Sequence, residues 1–179
     1  YDDATRAMVT LAGTDGTVIS NVADGVDDND AVNLGQLNAV AAVAENTNHY
    51  FKATGGVDSD NEAVADGEYA TAAGESAMAM GDGASAFGSG AFALADSATA
   101  VGFNAVADQE NALAVGASSS ALGEYAVAVG SESFASGFAA TAVGSAAQAT
   151  ADGSLAVGAL SEATGEESTA VGTFAEASG

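Results

Sequence analysis

Small and large side chains alternate along most of this chain in a strict frame. From Gly67 to Gly179 the frame repeats every seven residues without an insertion, and glycine fills 14 of its 17 positions. Ala95, Gln109 and Ala151 are the exceptions. Alanine stands two residues before every frame position, from Ala65 to Ala177, and Ala or Ser stands four before it. Each unit therefore reads small-x-small-x-Gly and two linker residues, which predicts a short strand and a turn.

The variable positions add a period of 14. In alternate units the residue before the frame glycine is Val101, Val115, Val129, Val143, Val157 or Val171. Two residues earlier stand Thr99, Leu113, Val127, Thr141, Leu155 and Thr169. The intervening units of the C-terminal half carry Gln148, Glu162 and Glu176, then Ser136, Thr150, Thr164 and Ser178. One kind of strand has an apolar outer face and the other a polar one.

That alternation selects a topology. In a flat meander, valine and serine stripes would alternate on one face and bury nothing coherent. Only Asp82-Gly83 and Asp152-Gly153 have favoured hairpin dipeptides. Two strands per 14-residue coil sort the stripes instead, with odd strands stacking into one parallel sheet and even strands into another. The expected fold is an all-β parallel β-roll of about eight coils with its small faces turned inward. The residues leave the hand of the coil open.

The valine face then points away from its own roll, as a strip near ~40 Å long at ~4.8 Å per coil. Soluble monomers rarely expose such a patch, so self-association about a symmetry axis is expected. The predicted interface comprises Val101, Leu113, Val115, Val127, Val129, Val143, Leu155, Val157 and Val171.

Residues before the repeats read differently. Gly13 to Asn21 predicts a turn and a short strand, and Asp30 is the expected N-cap of a helix. Leu34, Leu37, Ala41, Ala44, Asn48 and Phe51 form a short coiled-coil seam, with Leu34 and Leu37 expected to meet their symmetry mates. Gly55-Gly56 and the acidic run Asp58 to Glu62 read as a linker.

Composition narrows the function. Two basic residues face 25 acidic ones, a net charge of −23, which excludes nucleic-acid binding and a polybasic membrane anchor. Without cysteine there is no disulfide framework, zinc ribbon or thiol nucleophile. No stretch has the ~18 apolar residues of a spanning helix, and no signal-like segment opens the chain, so a signal or anchor is expected outside these residues. Alanine supplies 46 residues, whereas Leu, Ile, Val and Phe total 33, so a conventional core would be thin. Regularity has to compensate for small side chains.

The block Val18-Ile19-Ser20-Asn21-Val22-Ala23-Asp24-Gly25, with Asp30-Ala31-Val32-Asn33-Leu34-Gly35-Gln36-Leu37, resembles the neck of trimeric autotransporter adhesins. Leu34-Gly35 stands where the usual family form has Gly-Ser. Tyr50-Phe51-Lys52-Ala53 resembles the entry to a head domain, and Thr99-Ala100-Val101-Gly102 and Val127-Ala128-Val129-Gly130 resemble YadA-like head repeats. The resemblance implies left-handed parallel β-rolls, three side by side about a three-fold axis. It also implies a Gram-negative outer-membrane anchor through a C-terminal barrel that these residues do not include, and binding of host extracellular-matrix or cell-surface proteins. The expected divisions are 1–16 as the end of a preceding element, 17–40 as neck, 41–62 as short coil and connector, and 63–179 as head.

Candidate chemistry is sparse. His49 is the sole histidine and is read as solvated, with an axial ion or water layer shared with Asn46 or Asn48 as the other reading. No Ser-His-Asp set occurs in one local context, so no enzyme and no cofactor are expected. Asp24 to Asp30 and Asp58 to Glu62 are oxygen-rich but lack EF-hand spacing and are read as solvated turns without metal. The acidic residues of the repeats gather at the linkers, read as solubility and protection of turn edges, with a rim that attracts cationic protein surfaces as the other reading. The alternative function is a purely structural or ice-binding solenoid. Its threonine ladder is broken between Thr99, Thr141 and Thr169 on one sheet and Thr71, Thr150 and Thr164 on the other. The polar sheet opens with Val64, Met78, Met80, Phe92, Leu94 and Val106, followed by Leu122 and Phe134. Met78, Met80, Phe92 and Leu94 are the candidate ligand-binding residues, since adaptable apolar groups inside a charged rim suit a protein contact; packing of the same side chains against the neighbouring chain or the segment 51–62 is the other reading.

Overall fold

The computed structural model describes residues 10, 11, 13–50 and 61–179, with the side chains of 45–50 outside the described set. The chain divides into two units, Tyr1–Lys52 and Ala53–Gly179. His49, Asn46, Asn48 and Phe51 therefore carry no side-chain description, nor does most of the acidic run that starts at Asp58.

The second unit is the expected coil. Nine two-residue strands, from Val64–Ala65 to Glu176–Ala177, stack into one sheet, and eight three-residue strands, from Thr71–Ala73 to Thr169–Val171, stack into the other. Every pairing is parallel and joins residues 14 apart, as in Val129↔Val143 and Met78↔Phe92. One expectation needs correction. Thr71 pairs with Ser85, which pairs with Thr99, so it belongs to the eight-stranded sheet and not with Thr150. It lies 28 residues before Thr99, two whole coils. Its column is still interrupted by Leu113, Val127 and Leu155, so no continuous threonine ladder forms.

Alanine forms the core because nothing larger fits between the sheets. Ala77, Ala79, Ala84 and Ala86, and their equivalents in later coils, are fully buried. Ser119, Ser133, Ser154 and Ser161 take the same inward position. A buried hydroxyl needs a partner, and each donates to the carbonyl three residues back, as Ser119 Oγ does to Gly116 O at 2.9 Å.

The turns explain the glycines. In each turn an amide bonds back to the frame residue three positions earlier, as Ala77 N does to Gly74 O at 3.2 Å. The third residue of each such turn has positive φ, the type II pattern, and most of these residues are not glycine: Ser76, Asn104, Glu132, Leu160 and Phe174 lie between 54° and 58°. Ladder bonds continue through the corners, as Ser97 N to Asp82 O at 2.8 Å, and hold the backbone there. Frame glycines after three-residue strands also have positive φ, 134° at Gly130. Those after two-residue strands do not, the last residue Gly179 excepted, and Ala95, Gln109 and Ala151 all belong to that second class.

Relief of one left-handed residue should be measurable. Leu160 has φ +57° and is 49% exposed, so little packing is lost on truncation. We expect Leu160→Gly to stabilise the head by roughly 0.5 kcal/mol per chain, since the ~1 kcal/mol of left-handed strain outweighs the entropy that glycine adds to the unfolded chain. Denaturant unfolding checks this, and a lower midpoint would contradict it.

The first unit corrects two expectations. Helix α1 runs Leu34–Tyr50, and its N-cap is Asn33, not Asp30. Asn33 Oδ1 accepts from Gln36 N at 3.0 Å while Gln36 Oε1 accepts from Asn33 N at 3.3 Å, a capping box. The Asn-x-x-Gln spacing carried that signal, and the earlier acidic residue outcompeted it in the reading. Asp30 closes the preceding loop instead, with Oδ2 accepting from Val26 N at 2.9 Å and Asp27 N at 3.1 Å. Of the turn and strand expected over Gly13 to Asn21, only a turn at Thr14–Gly16 forms. Val18 to Asn21 has no paired strand beside it among the described residues.

Candidate binding surfaces of the head and neck

In the neck, side-chain amides fasten the acidic loop to the helix start. Gln36 grips Gly25 in both directions, Oε1 accepting from its amide and Nε2 donating to its carbonyl, each at 3.0 Å. Asn33 Nδ2 donates to Val22 O at 3.1 Å and Asp24 Oδ1 at 2.7 Å. The two loop amides hold the Asp30 carboxyl below its ordinary value of 3.8. Because the folded pKa is depressed, this contribution is present above the unfolded pKa and is lost as pH falls through the folded one. The Val26 and Asp27 amide resonances should titrate together with an apparent pKa below 3.8, and Asp30→Asn should remove that titration. A midpoint at or above the ordinary value would refute the loop-closing role.

Apolar side chains crowd the outside of this unit. Leu34 and Leu37 are 70% and 58% exposed in the single chain, and Val18, Ile19, Val26, Val32, Val40 and Val43 are exposed too. A groove of about 620 Å³ lies between the strand-less segment and the helix start, with Ile19, Val22, Val32 and Leu34 among its walls. Val40 and Val43 were not in the expected seam. Their i, i+3 spacing after Leu34 and Leu37 was the available signal.

On the head, the eight-stranded sheet gathers every predicted interface residue of the repeats. Val101, Val115, Val129, Val143, Val157 and Val171 form one register column, beside Thr99, Leu113, Val127, Thr141, Leu155 and Thr169. Leu113, Val115, Val127, Val129, Val143, Leu155 and Val157 are half-buried, whereas Val101 and Val171 at the two ends are exposed. The valine column continues to Phe87, which pairs with Val101 and which sequence reasoning left out. Its position, 14 residues before Val101, was the signal.

The nine-stranded sheet carries the other candidates. One column runs Val64, Met78, Phe92, Val106, Ser120, Phe134, Gln148, Glu162 and Glu176. Met80 and Leu94 extend the apolar surface beside Met78 and Phe92. Met78 and Phe92 are half-buried, and Met80 and Leu94 are 37% and 39% exposed. The face thus changes from apolar in the second and third coils to polar in the last three.

The turns sort the acids more sharply than the linker reading foresaw. After two-residue strands the first linker residue is Glu68, Asp82, Asp96, Glu110, Glu124, Phe138, Asp152 or Glu166, stacked along one edge. After three-residue strands the same position has one acid, Glu75. The aspartates also have a structural task. Each turns toward the previous coil and accepts a turn amide: Asp82 from Glu68 N at 2.9 Å, Asp96 from Asp82 N at 3.0 Å, Asp152 from Phe138 N at 2.8 Å. Among the described residues no group of three or more His, Cys, Asp or Glu side chains could hold a metal ion, and no helix is long and apolar enough to cross a membrane.

Comparison with known families agrees with this geometry. The family model for the coiled stalk of trimeric autotransporter adhesins matches residues 18–60. The model for the YadA head domain repeat matches residues 72–94, 93–119, 107–133, 135–161 and 163–179, more than half of the chain. None of the curated proteins compared matches the chain. With both models matched, the head repeat over more than half of the chain, the chain belongs to the YadA-like trimeric autotransporter adhesins.

Proposed function

We propose that this chain is the surface-exposed head and neck of a homotrimer that attaches a Gram-negative cell to host extracellular-matrix or cell-surface proteins, anchored in the outer membrane through a domain outside these residues. The valine face of the eight-stranded sheet is the homotrimer contact, with Leu34 and Leu37 meeting their mates in the neck. Its support is an apolar column from Phe87 to Val171 without a charged residue.

Adhesion uses the opposite sheet, at Met78, Met80, Phe92 and Leu94. The observation that carries this reading is an apolar quartet enclosed by Asp66 and Asp108 along its own sheet and by Asp82 and Asp96 at the neighbouring turn edge. Thioethers and a phenyl ring adapt to a partner, and the carboxylate rim selects one with basic flanks. A Met78→Glu/Phe92→Glu variant should stay trimeric by sedimentation and lose at least ~10-fold in binding to a matrix-protein array, since desolvated carboxylates replace the anchors. Full binding by that trimer would place adhesion elsewhere on the head.

A further inference from the structure

The acidic turn edge has one interruption, at Phe138. Its ring meets Tyr125 of the previous coil edge to face, with centroids 5.8 Å apart and planes at 79°. Tyr125 is 48% and Phe138 52% exposed, on successive turns of the edge. Beyond Phe138 the edge opens into a groove of about 340 Å³ lined by Phe138, Ala139, Asp152, Gly153, Glu166 and Glu167. Gly153 contributes no side chain to fill it. Asp152 is turned toward the Phe138 amide at 2.8 Å, while Glu166 and Glu167 are exposed. Arg6 and Lys52 are the only basic residues of the chain, so the head itself has no cation to offer this groove.

We propose that this groove binds the guanidinium of an arginine presented by a partner protein. Its plane stacks on the Phe138 ring while its forked N–H groups donate to the Glu166 and Glu167 carboxylates. A paired ring beside a groove is what distinguishes this place from the rest of the edge, where Tyr69, beside Glu68, is 91% exposed. A lysine ammonium would be attracted anywhere along the carboxylate stack, but it has neither the flat face nor the fork that a ring beside two carboxylates fits. Phosphate-bearing partners, nucleic acid or lipid headgroup, are repelled by the same three carboxylates. The site begins three coils beyond Leu94, on the turn edge and not on the sheet face, so it stands or falls separately from the adhesion surface proposed above.

The test follows the Ala139 methyl resonance of the intact protein during titration with N-acetyl-arginine methylamide and its lysine and citrulline counterparts. Citrulline has nearly the shape of arginine without the charge. Arginine should give a saturable shift, lysine should bind at least ~5-fold more weakly, and citrulline should give no shift. Phe138→Leu should erase the preference for arginine over lysine, and Glu166→Gln/Glu167→Gln should weaken arginine binding by about 10-fold. Both variants alter exposed turn positions and should sediment as the parent does. Equal affinity for lysine and arginine, an unchanged titration in Phe138→Leu, or the same response at the Ala95 methyl would overturn the proposal and leave a diffuse acidic edge.

Discussion

Gly130→Ala should destabilise the head by about 3 kcal/mol or more per chain, a single methyl with the effect of a large core deletion. Two costs combine. The residue has φ +134°, where an L side chain is strained in any surroundings. The new Cβ would also stand 2.4 Å from Gly144 O and 2.6 Å from Gly144 C in the next coil. Backbone cannot rotate away as a side chain does, so the coils must separate, and the ladder bond from Gly144 N to Val129 O at 2.8 Å goes with them. Hydrogen exchange should show the loss centred on Val115 to Gly144, with a lower melting temperature for the whole head. Ala151→Gly is the control. Ala151 already carries a Cβ in the other class of turn, and its removal should cost under ~1 kcal/mol. If Gly130→Ala melts with the parent protein, the frame glycines are not there for steric reasons.

Val129→Asp should abolish assembly while leaving the coil formed. Val129 lies mid-column between Val115 and Val143 on the face proposed as the homotrimer contact. Three carboxylates would converge there with no basic residue anywhere in the head to pair with them. Burying each unpaired charge costs several kcal/mol, more than one coil's share of an apolar interface returns. Sedimentation should report monomers, and far-UV circular dichroism should keep its β signal. Thr150→Asp, on the nine-stranded sheet, makes the same change in charge and should leave the assembly intact. A trimer that tolerates Val129→Asp would remove the valine face from the interface.

The repeat was legible because the fold is written at two periods. Seven residues fix the backbone, and 14 fix the faces; the assignment of Val101 to Val171 to one sheet followed from counting. The turns were less legible. Positive φ at Leu160 or Phe174 leaves no mark in residue type, since the ladder through the corner enforces it. The acidic edge was visible only as acids at linkers, because the 14-residue period had been applied to strands and not to turns. Phe87 and Val40 were missed through motif expectations, valine in one case and a fixed heptad in the other. The neck was least legible. Asp30 and Asn33 are both good N-caps, and the choice depended on Gln36 reaching back to Asn33 and Gly25.

The two kinds of turn set the quantum by which such a head can grow or shrink. Removal of 14 residues, such as 117–130, returns each later side chain to its own sheet and each frame glycine to its own class of corner. The domain becomes one coil shorter, by ~4.8 Å, with its cross-section unchanged. Removal of seven keeps the small-x-small-x-Gly frame intact yet exchanges the sheets beyond the cut. Later valines would move to the sheet of Met78 and Phe92 while Gln148 and Glu162 moved to the valine sheet, and Ala151 would enter a corner where its counterparts are all glycine with positive φ. Reach can therefore vary in whole coils during evolution, whereas half-coil changes exchange the two outer faces of the roll beyond the cut.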